Sequence, residues 1–178
     1  MALQMLKYGF VADSKLLETS LENYRQFIVR AGEIKREIVA KDPTENGLRK
    51  ILNFGHTLGH AIESHCLTTD HPLLHGEAVA LGMAGVLWLS VKQCGLDEQV
   101  LKDYETKLPM LLSEAEITLS EADIEPVLGY LAYDKKNDGE KPQFVLLEAI
   151  GKPVRDVTVD YDTIKRSLEY MINEYGKC

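Results

Sequence analysis

Apolar residues recur at helical spacing along most of the chain. Asp13 and Ser14 mark a helix start before Leu16, Leu17, Leu21 and Tyr24. Phe27, Ile28, Ala31, Ile34, Ile38 and Val39 continue the pattern after a break. The segment Lys41-Asp42-Pro43-Thr44-Glu45-Asn46-Gly47 is a loop by turn chemistry. The spacing then predicts a helix from about Leu48 to His65, and a second loop over Thr68-Thr69-Asp70-His71-Pro72. Residues 77–93 are apolar nearly all round, as in the buried centre of a bundle, and Gly82, Ala84 and Gly85 admit close neighbours. Helical patterns follow at 97–112 and 120–133, the second opening on Ser120 and Asp123 in a weak capping-box form. Phe144-Val145-Leu146-Leu147, Ile150-Gly151-Lys152-Pro153 and Val154 to Val159 place β-branched residues around a glycine turn, which predicts a hairpin. A last helix over 162–175 carries Ile164, Leu168, Met171, Ile172 and Tyr175 on one face. The expected fold is mainly α, a helical bundle with one small β-hairpin, and residues 1–178 form a single domain.

Composition narrows the function classes. The chain has 178 residues, 45% hydrophobic and 27% charged, an ordinary globular balance. Its formal net charge of −8 argues against nucleic acid as a partner. The longest uncharged apolar run, Ala78 to Val91, is too short to span a bilayer, and no N-terminal signal pattern is present. Three scattered cysteines make neither a disulfide framework nor a thiolate zinc motif. A cytoplasmic, soluble domain is the expectation.

The chemistry is concentrated in one window. All five histidines, His56, His60, His65, His71 and His75, fall between positions 56 and 75. His56 and His60 are four apart, so on a helix both rings share a face and can reach one metal ion. Glu63 lies on a neighbouring face. The glutamate of a zinc-protease H-E-x-x-H is absent from His56-Thr57-Leu58-Gly59-His60, which argues against a peptidase. His65 and His71 suit ordinary hydrogen-bonded roles. His56 and His75 stand among Gly55, Gly59 and Gly76, which leave room for a ligand. On a continuous helix Arg49, Asn53, His56 and His60 make one polar stripe, opposite an apolar face that includes Leu58 and Ile62. Lys7, Lys35, Lys135 and Lys136, with Arg49, are cations suited to a phosphate or carboxylate if the fold brings them together.

The stretch from Arg49 to Glu63, Arg-Lys-Ile-Leu-Asn-Phe-Gly-His-Thr-Leu-Gly-His-Ala-Ile-Glu, closely resembles the signature of 3-dehydroquinate synthases. Leu74-His75-Gly76-Glu77-Ala78-Val79-Ala80-Leu81-Gly82-Met83 resembles that family's second signature. Leu6-Lys7-Tyr8-Gly9, Asp134-Lys135-Lys136, Phe144 to Leu147 and Ile150-Gly151 fit in order, so the resemblance spans nearly the whole chain. It implies the C-terminal, mainly helical half of a two-domain enzyme, whose N-terminal half holds NAD. It implies conversion of 3-deoxy-arabino-heptulosonate 7-phosphate to 3-dehydroquinate and phosphate in the shikimate pathway, with a zinc or cobalt ion and with NAD taking and returning a hydride. By the same resemblance His56 and His75 are metal ligands. His60 and Asn53 contact substrate hydroxyls or the carboxylate. Lys7, Lys35, Arg49 and one of Lys135 or Lys136 bind the anionic ends, and Glu45 orients the group. Spacing alone lets His56 and His60 share the metal; the family pattern pairs His56 with His75.

The chain departs from the pattern at one position. The family's third metal ligand is a glutamate three residues before the lysine of Lys7-Tyr8-Gly9, where this sequence has Gln4. A neutral amide in place of a carboxylate weakens the hold on a dication. The expectations are therefore weak zinc binding, no turnover by this chain alone, dependence on an NAD-binding domain, and possible homodimerisation. Three rival readings share much of the pattern: another sugar-phosphate cyclase, a metal-dependent alcohol dehydrogenase of the glycerol type, and a non-catalytic helical module that keeps the family sequence.

Overall fold

The computed structural model describes residues 2–18, 24–112, 116–135 and 141–176. Helices α1 (Ala2–Val11), α2 (Lys15–Glu18) and α3 (Tyr24–Lys41) open the chain. A 3-10 segment (Leu48–Asn53) leads into α4 (His56–Cys66) and α5 (His75–Cys94). Helices α6 (Glu98–Leu111) and α7 (Ile124–Lys135) follow, then strands β1 (Gln143–Ala149) and β2 (Lys152–Thr158), and α8 (Tyr161–Tyr175) closes the chain. The result is mainly helical with one antiparallel hairpin.

Helix α5 is the axis of the bundle. Residues Ala78 through Leu87 are all buried, and α1, α4, α6, α8 and β1 all pack against it. The all-round apolar character of this stretch therefore has a physical cause: between Ala78 and Leu87 no face of the helix meets water. Tyr104 of α6, fully buried, donates its hydroxyl to the Ala80 carbonyl at 2.8 Å. Ser90 donates to the Val86 carbonyl at 2.6 Å and accepts the Leu147 N–H of β1 at 3.0 Å. Leu147 stands opposite Pro153, which has no N–H of its own to offer the ladder. Replacing Ser90 with alanine strands the Leu147 N–H in the core. We expect Ser90→Ala to cost about 1–3 kcal/mol in urea unfolding, with the hairpin loosened first.

The predicted helix over 48–65 is broken. A 3-10 turn ends at Asn53, and Gly55 takes a left-handed φ of 77° before α4 begins at His56. A side chain at Gly55 is excluded twice: by that φ, and because a Cβ would meet Met83 Cγ at 2.5 Å. The stripe of Arg49, Asn53, His56 and His60 is thus two pieces on two elements. Of the helical pattern from Leu16 to Tyr24, α2 carries it to Glu18 and Tyr24 begins α3; residues 19–23 lie outside the described ones. Helix α5 starts at His75, two residues earlier than expected, because the Glu77 side chain accepts the Leu74 N–H at 2.7 Å and fixes the first turn there. The glycine turn of the hairpin is present, with Gly151 at φ 78°, and its N–H donates to the Phe10 carbonyl of α1 at 2.7 Å.

Candidate active site

Helices α4 and α5 meet almost backbone to backbone. A Cβ on Gly82 would run into the Gly55 carbonyl, and into Gly59 at 2.6 Å from its nitrogen. This contact sets the His75 end of α5 beside His56 and His60 of α4. The three rings form a near-equilateral triangle, with centroids 5.4 Å apart for His56–His60, 5.6 Å for His56–His75 and 5.5 Å for His60–His75. His56 and His75 are half-buried and His60 is exposed. Ligand atoms of His60, Glu63 and His75 lie within 4.8 Å of one another.

Hydrogen bonds fix two of the rings. His56 Nδ1 lies 3.1 Å from the Phe54 carbonyl, an acceptor only, so this nitrogen carries the proton. Its Nε2 then keeps a lone pair, which accepts from Lys7 Nζ at 3.1 Å. Burial, aided by the Lys7 charge, pushes His56 down to about 4, so the ring is neutral near pH 7. Lys7 itself is buried, and burial together with the charge of Lys35 lowers its ammonium to about 8. His75 Nδ1 lies 2.9 Å from Glu63 Oε2.

Beside the rings, Lys7, Lys35, Arg49, Asn53 and Glu45 line a cleft of about 240 Å³, with Tyr8, Ala31, Gly32 and Leu52 as its apolar walls. Its rim is the loop after α3. Asp42 clamps that loop by accepting backbone N–H groups of Asn46 at 3.2 Å, Gly47 at 2.8 Å and Arg49 at 2.9 Å. These bonds, that from Arg49 foremost, hold the Asp42 carboxyl below its ordinary range. The clamp forces Glu45 into the left-handed region, at φ 59°. From there Glu45 accepts from Asn53 Nδ2 at 2.8 Å and pairs with Arg49 Nε at 3.3 Å. A second opening of about 410 Å³ continues from Glu45 and Asn53 to Thr57, Gln143 and Asp156, where Lys50 pairs with Asp156 at 2.7 Å.

A family model described as 3-dehydroquinate synthase C-terminal matches residues 3–137. The chain belongs to the 3-dehydroquinate synthase C-terminal family. Curated relatives agree. A 3-dehydroquinate synthase from Parabacteroides distasonis is 32% identical over 97% of this chain and 51% of its own length. One from Corynebacterium jeikeium is 37% identical over 85% of this chain and 43% of its own. The chain spans about half the length of the curated relatives it matches. Among solved structures, a 2-deoxy-scyllo-inosose synthase complexed with carbaglucose-6-phosphate, NAD+ and Co2+ shares the fold, with a TM-score of 0.76 and 22% identity. That match covers 94% of this chain and 49% of the other. A 2-epi-5-epi-valiolone synthase from Streptomyces hygroscopicus with NAD+ and Zn2+ bound also has a TM-score of 0.76 at 22% identity, covering 96% and 50%.

Set on this family domain, most of the sequence-predicted residues converge. Lys7, Lys35, Glu45, Arg49 and Asn53 share the cleft, and His56, His60 and His75 stand together. His65 and His71 take structural roles: His65 bonds Asp123 at 2.7 Å and His71 pairs with Glu116 at 3.2 Å. Gln4 lies on α1, but its side chain is outside the described residues, as is that of Lys135; Lys136 lies outside altogether. Sequence reasoning assigned no task to Asp42. The signal was available in the row Asp42-Pro43-Thr44-Glu45-Asn46-Gly47, where an aspartate opens a glycine-ended loop.

Three imidazoles and a carboxylate with such proximity suit a zinc or cobalt ion. With His56 and His75 both protonated at Nδ1, each has an Nε2 lone pair for it, that of His56 being held here by Lys7.

Proposed function

We propose that this chain is one helical domain acting in the cytoplasm as the metal- and substrate-binding half of a 3-dehydroquinate synthase. The substrate would be 3-deoxy-arabino-heptulosonate 7-phosphate, and the products 3-dehydroquinate and phosphate. The observation that carries this reading is the juxtaposition of a cationic cleft with a triangle of histidines. A substrate with anionic groups at its ends and hydroxyls between them matches both parts. The names of the curated relatives support this cyclase among its neighbours in fold.

His56 and His75 are the proposed metal ligands, with the amide oxygen of Gln4 as a neutral third. A divalent ion held there supplies Lewis-acid polarisation of a substrate hydroxyl. The chain's own residues do the rest. Lys7, Lys35 and Arg49, with Lys135 or Lys136, bind the phosphate and carboxylate, offsetting their lost hydration with charge-assisted hydrogen bonds. Glu45 spends one oxygen on Asn53 and the other on Arg49, so both side chains arrive oriented before substrate binds. Asn53 keeps its amide oxygen for a substrate hydroxyl. His60, exposed at the edge of the triangle, is placed to exchange a proton with that hydroxyl. No glycine-rich dinucleotide loop occurs in the sequence, so NAD is assigned to a partner half of the enzyme.

The test is to mix the purified chain with the NAD-binding half of a 3-dehydroquinate synthase, with NAD, zinc and substrate. Phosphate release by the mixture, and by neither part alone, is expected. Absence of release from two halves that demonstrably associate contradicts the proposal.

A further inference from the structure

We propose that Glu63 is the positioning residue of the metal centre: its carboxylate fixes the His75 tautomer and lends the centre the negative charge that Gln4 does not supply. It rests on the reading of His75 as a metal ligand. Glu63 follows His60 by three residues and His56 by seven, which on α4 brings it onto the histidines' own face and not the neighbouring one expected from the sequence. From that face Glu63 Oε2 reaches His75 Nδ1 at 2.9 Å, across the close α4–α5 contact. A carboxylate only accepts, so the proton sits on Nδ1 and the Nε2 lone pair is left to a metal.

His56 reaches the same tautomer through a neutral acceptor, the Phe54 carbonyl. The two rings are therefore fixed alike but backed differently, His56 by a neutral carbonyl and His75 by a carboxylate. An imidazole backed by a carboxylate is the more basic ligand, and part of the carboxylate's charge is felt at the metal through the ring. Glu63 is shielded enough for this to matter, its side chain being 25% exposed. The sequence around it explains the need. The position expected to hold an anionic ligand is Gln4, so a neutral-ligand centre holding a dication gains from a charge one shell away. Glu63 is the carboxylate that the fold places there. It acts through His75 rather than on the metal, because its near oxygen and His75 Nδ1 are already spent on each other.

The experiment uses the 178-residue chain with Co2+ as the probe, read by visible absorption, and the metal-free chain by proton–nitrogen NMR of the His75 ring. Glu63→Gln keeps an acceptor but removes the charge; Glu63→Leu removes both. We expect Glu63→Gln to bind Co2+ about 10–100-fold more weakly with unchanged band positions. We expect the His75 ring to pass from a single Nδ1–H tautomer in the wild type to a mixture in Glu63→Leu. Shifted bands in Glu63→Gln would make Glu63 a direct ligand and overturn the proposal. So would Co2+ affinity within about twofold of wild type, or an unchanged tautomer in Glu63→Leu. If the wild-type chain takes up no Co2+ while the tautomer responds as expected, it is the metal reading of His75 that falls, and the positioning of His75 by Glu63 stands.

Discussion

Gly82→Ala is expected to lower the unfolding midpoint by roughly 6–12 °C, and to take metal binding with it. The added Cβ has no room: the Gly55 carbonyl is in its way, and Gly59 Cα lies at 2.9 Å. These are backbone atoms on both sides, so no rotamer change relieves the clash, and the helices must separate. Overpacking against backbone on both sides costs about 3 kcal/mol, the upper end of the usual range. In a chain of this size each kcal/mol moves the midpoint by about 2–4 °C. Separation also carries His75 away from His56 and His60, whose rings are 5.6 and 5.5 Å away. Gly129→Ala is the control. It lies in the exposed part of α7 with nothing within 4 Å of a new Cβ. That variant should gain about 0.5–1 kcal/mol from helix propensity alone. A thermal melt of both variants checks the pair. Equal midpoints would mean that the α4–α5 approach is not what holds the site.

Lys7→Met should separate function from stability. Lys7 is 7% exposed, and its ammonium stands beside the neutral His56 ring and feels the like charge of Lys35. Among the described residues no carboxylate pairs with it; its contacts are the His56 ring and the face of Tyr8 at 5.5 Å, and burying a charge on those alone is costly. A bound phosphate or carboxylate is the partner that gives it a purpose. Replacing it with an apolar side chain of similar length should raise the melting temperature while weakening substrate. One charge-assisted hydrogen bond is worth about 1.5–3 kcal/mol, or about 10–150-fold in affinity. Calorimetric titration with the heptulosonate phosphate reads the loss directly. Unchanged affinity in a folded variant would remove Lys7 from the binding site.

Much of this arrangement was legible in the chain itself. The apolar run around α5 announced a buried helix, and the histidine window announced the cluster of His56, His60 and His75, because both depend on residue type and short spacing. The hairpin was legible for the same reason, from β-branched residues about Gly151. The break at Gly55 was not. Helical spacing runs unbroken through Arg49, Asn53, His56 and His60, and only the close approach of α5 shows why a left-handed glycine is needed there. The consequence is chemical. Arg49 and Asn53 are turned into the cleft with Lys7 and Lys35, while His56 and His60 face His75. Long-range pairings such as Lys7 with His56, 49 residues apart, are set by packing and leave no periodic trace. Glu63 shows the same limit: by sequence alone it lies on a neighbouring face with no task, and its partner is on another helix.

The metal content of the site is the most direct measurement. The purified chain, stripped with chelator and titrated with Co2+, should take up about one ion per chain, with the modest affinity expected of a centre whose third ligand is a neutral amide in place of a carboxylate. His75→Ala, still helical by circular dichroism, should lose that binding. No uptake by the folded wild-type chain, or uptake that survives in His75→Ala, would contradict the placing of a metal centre at the junction of α4 and α5.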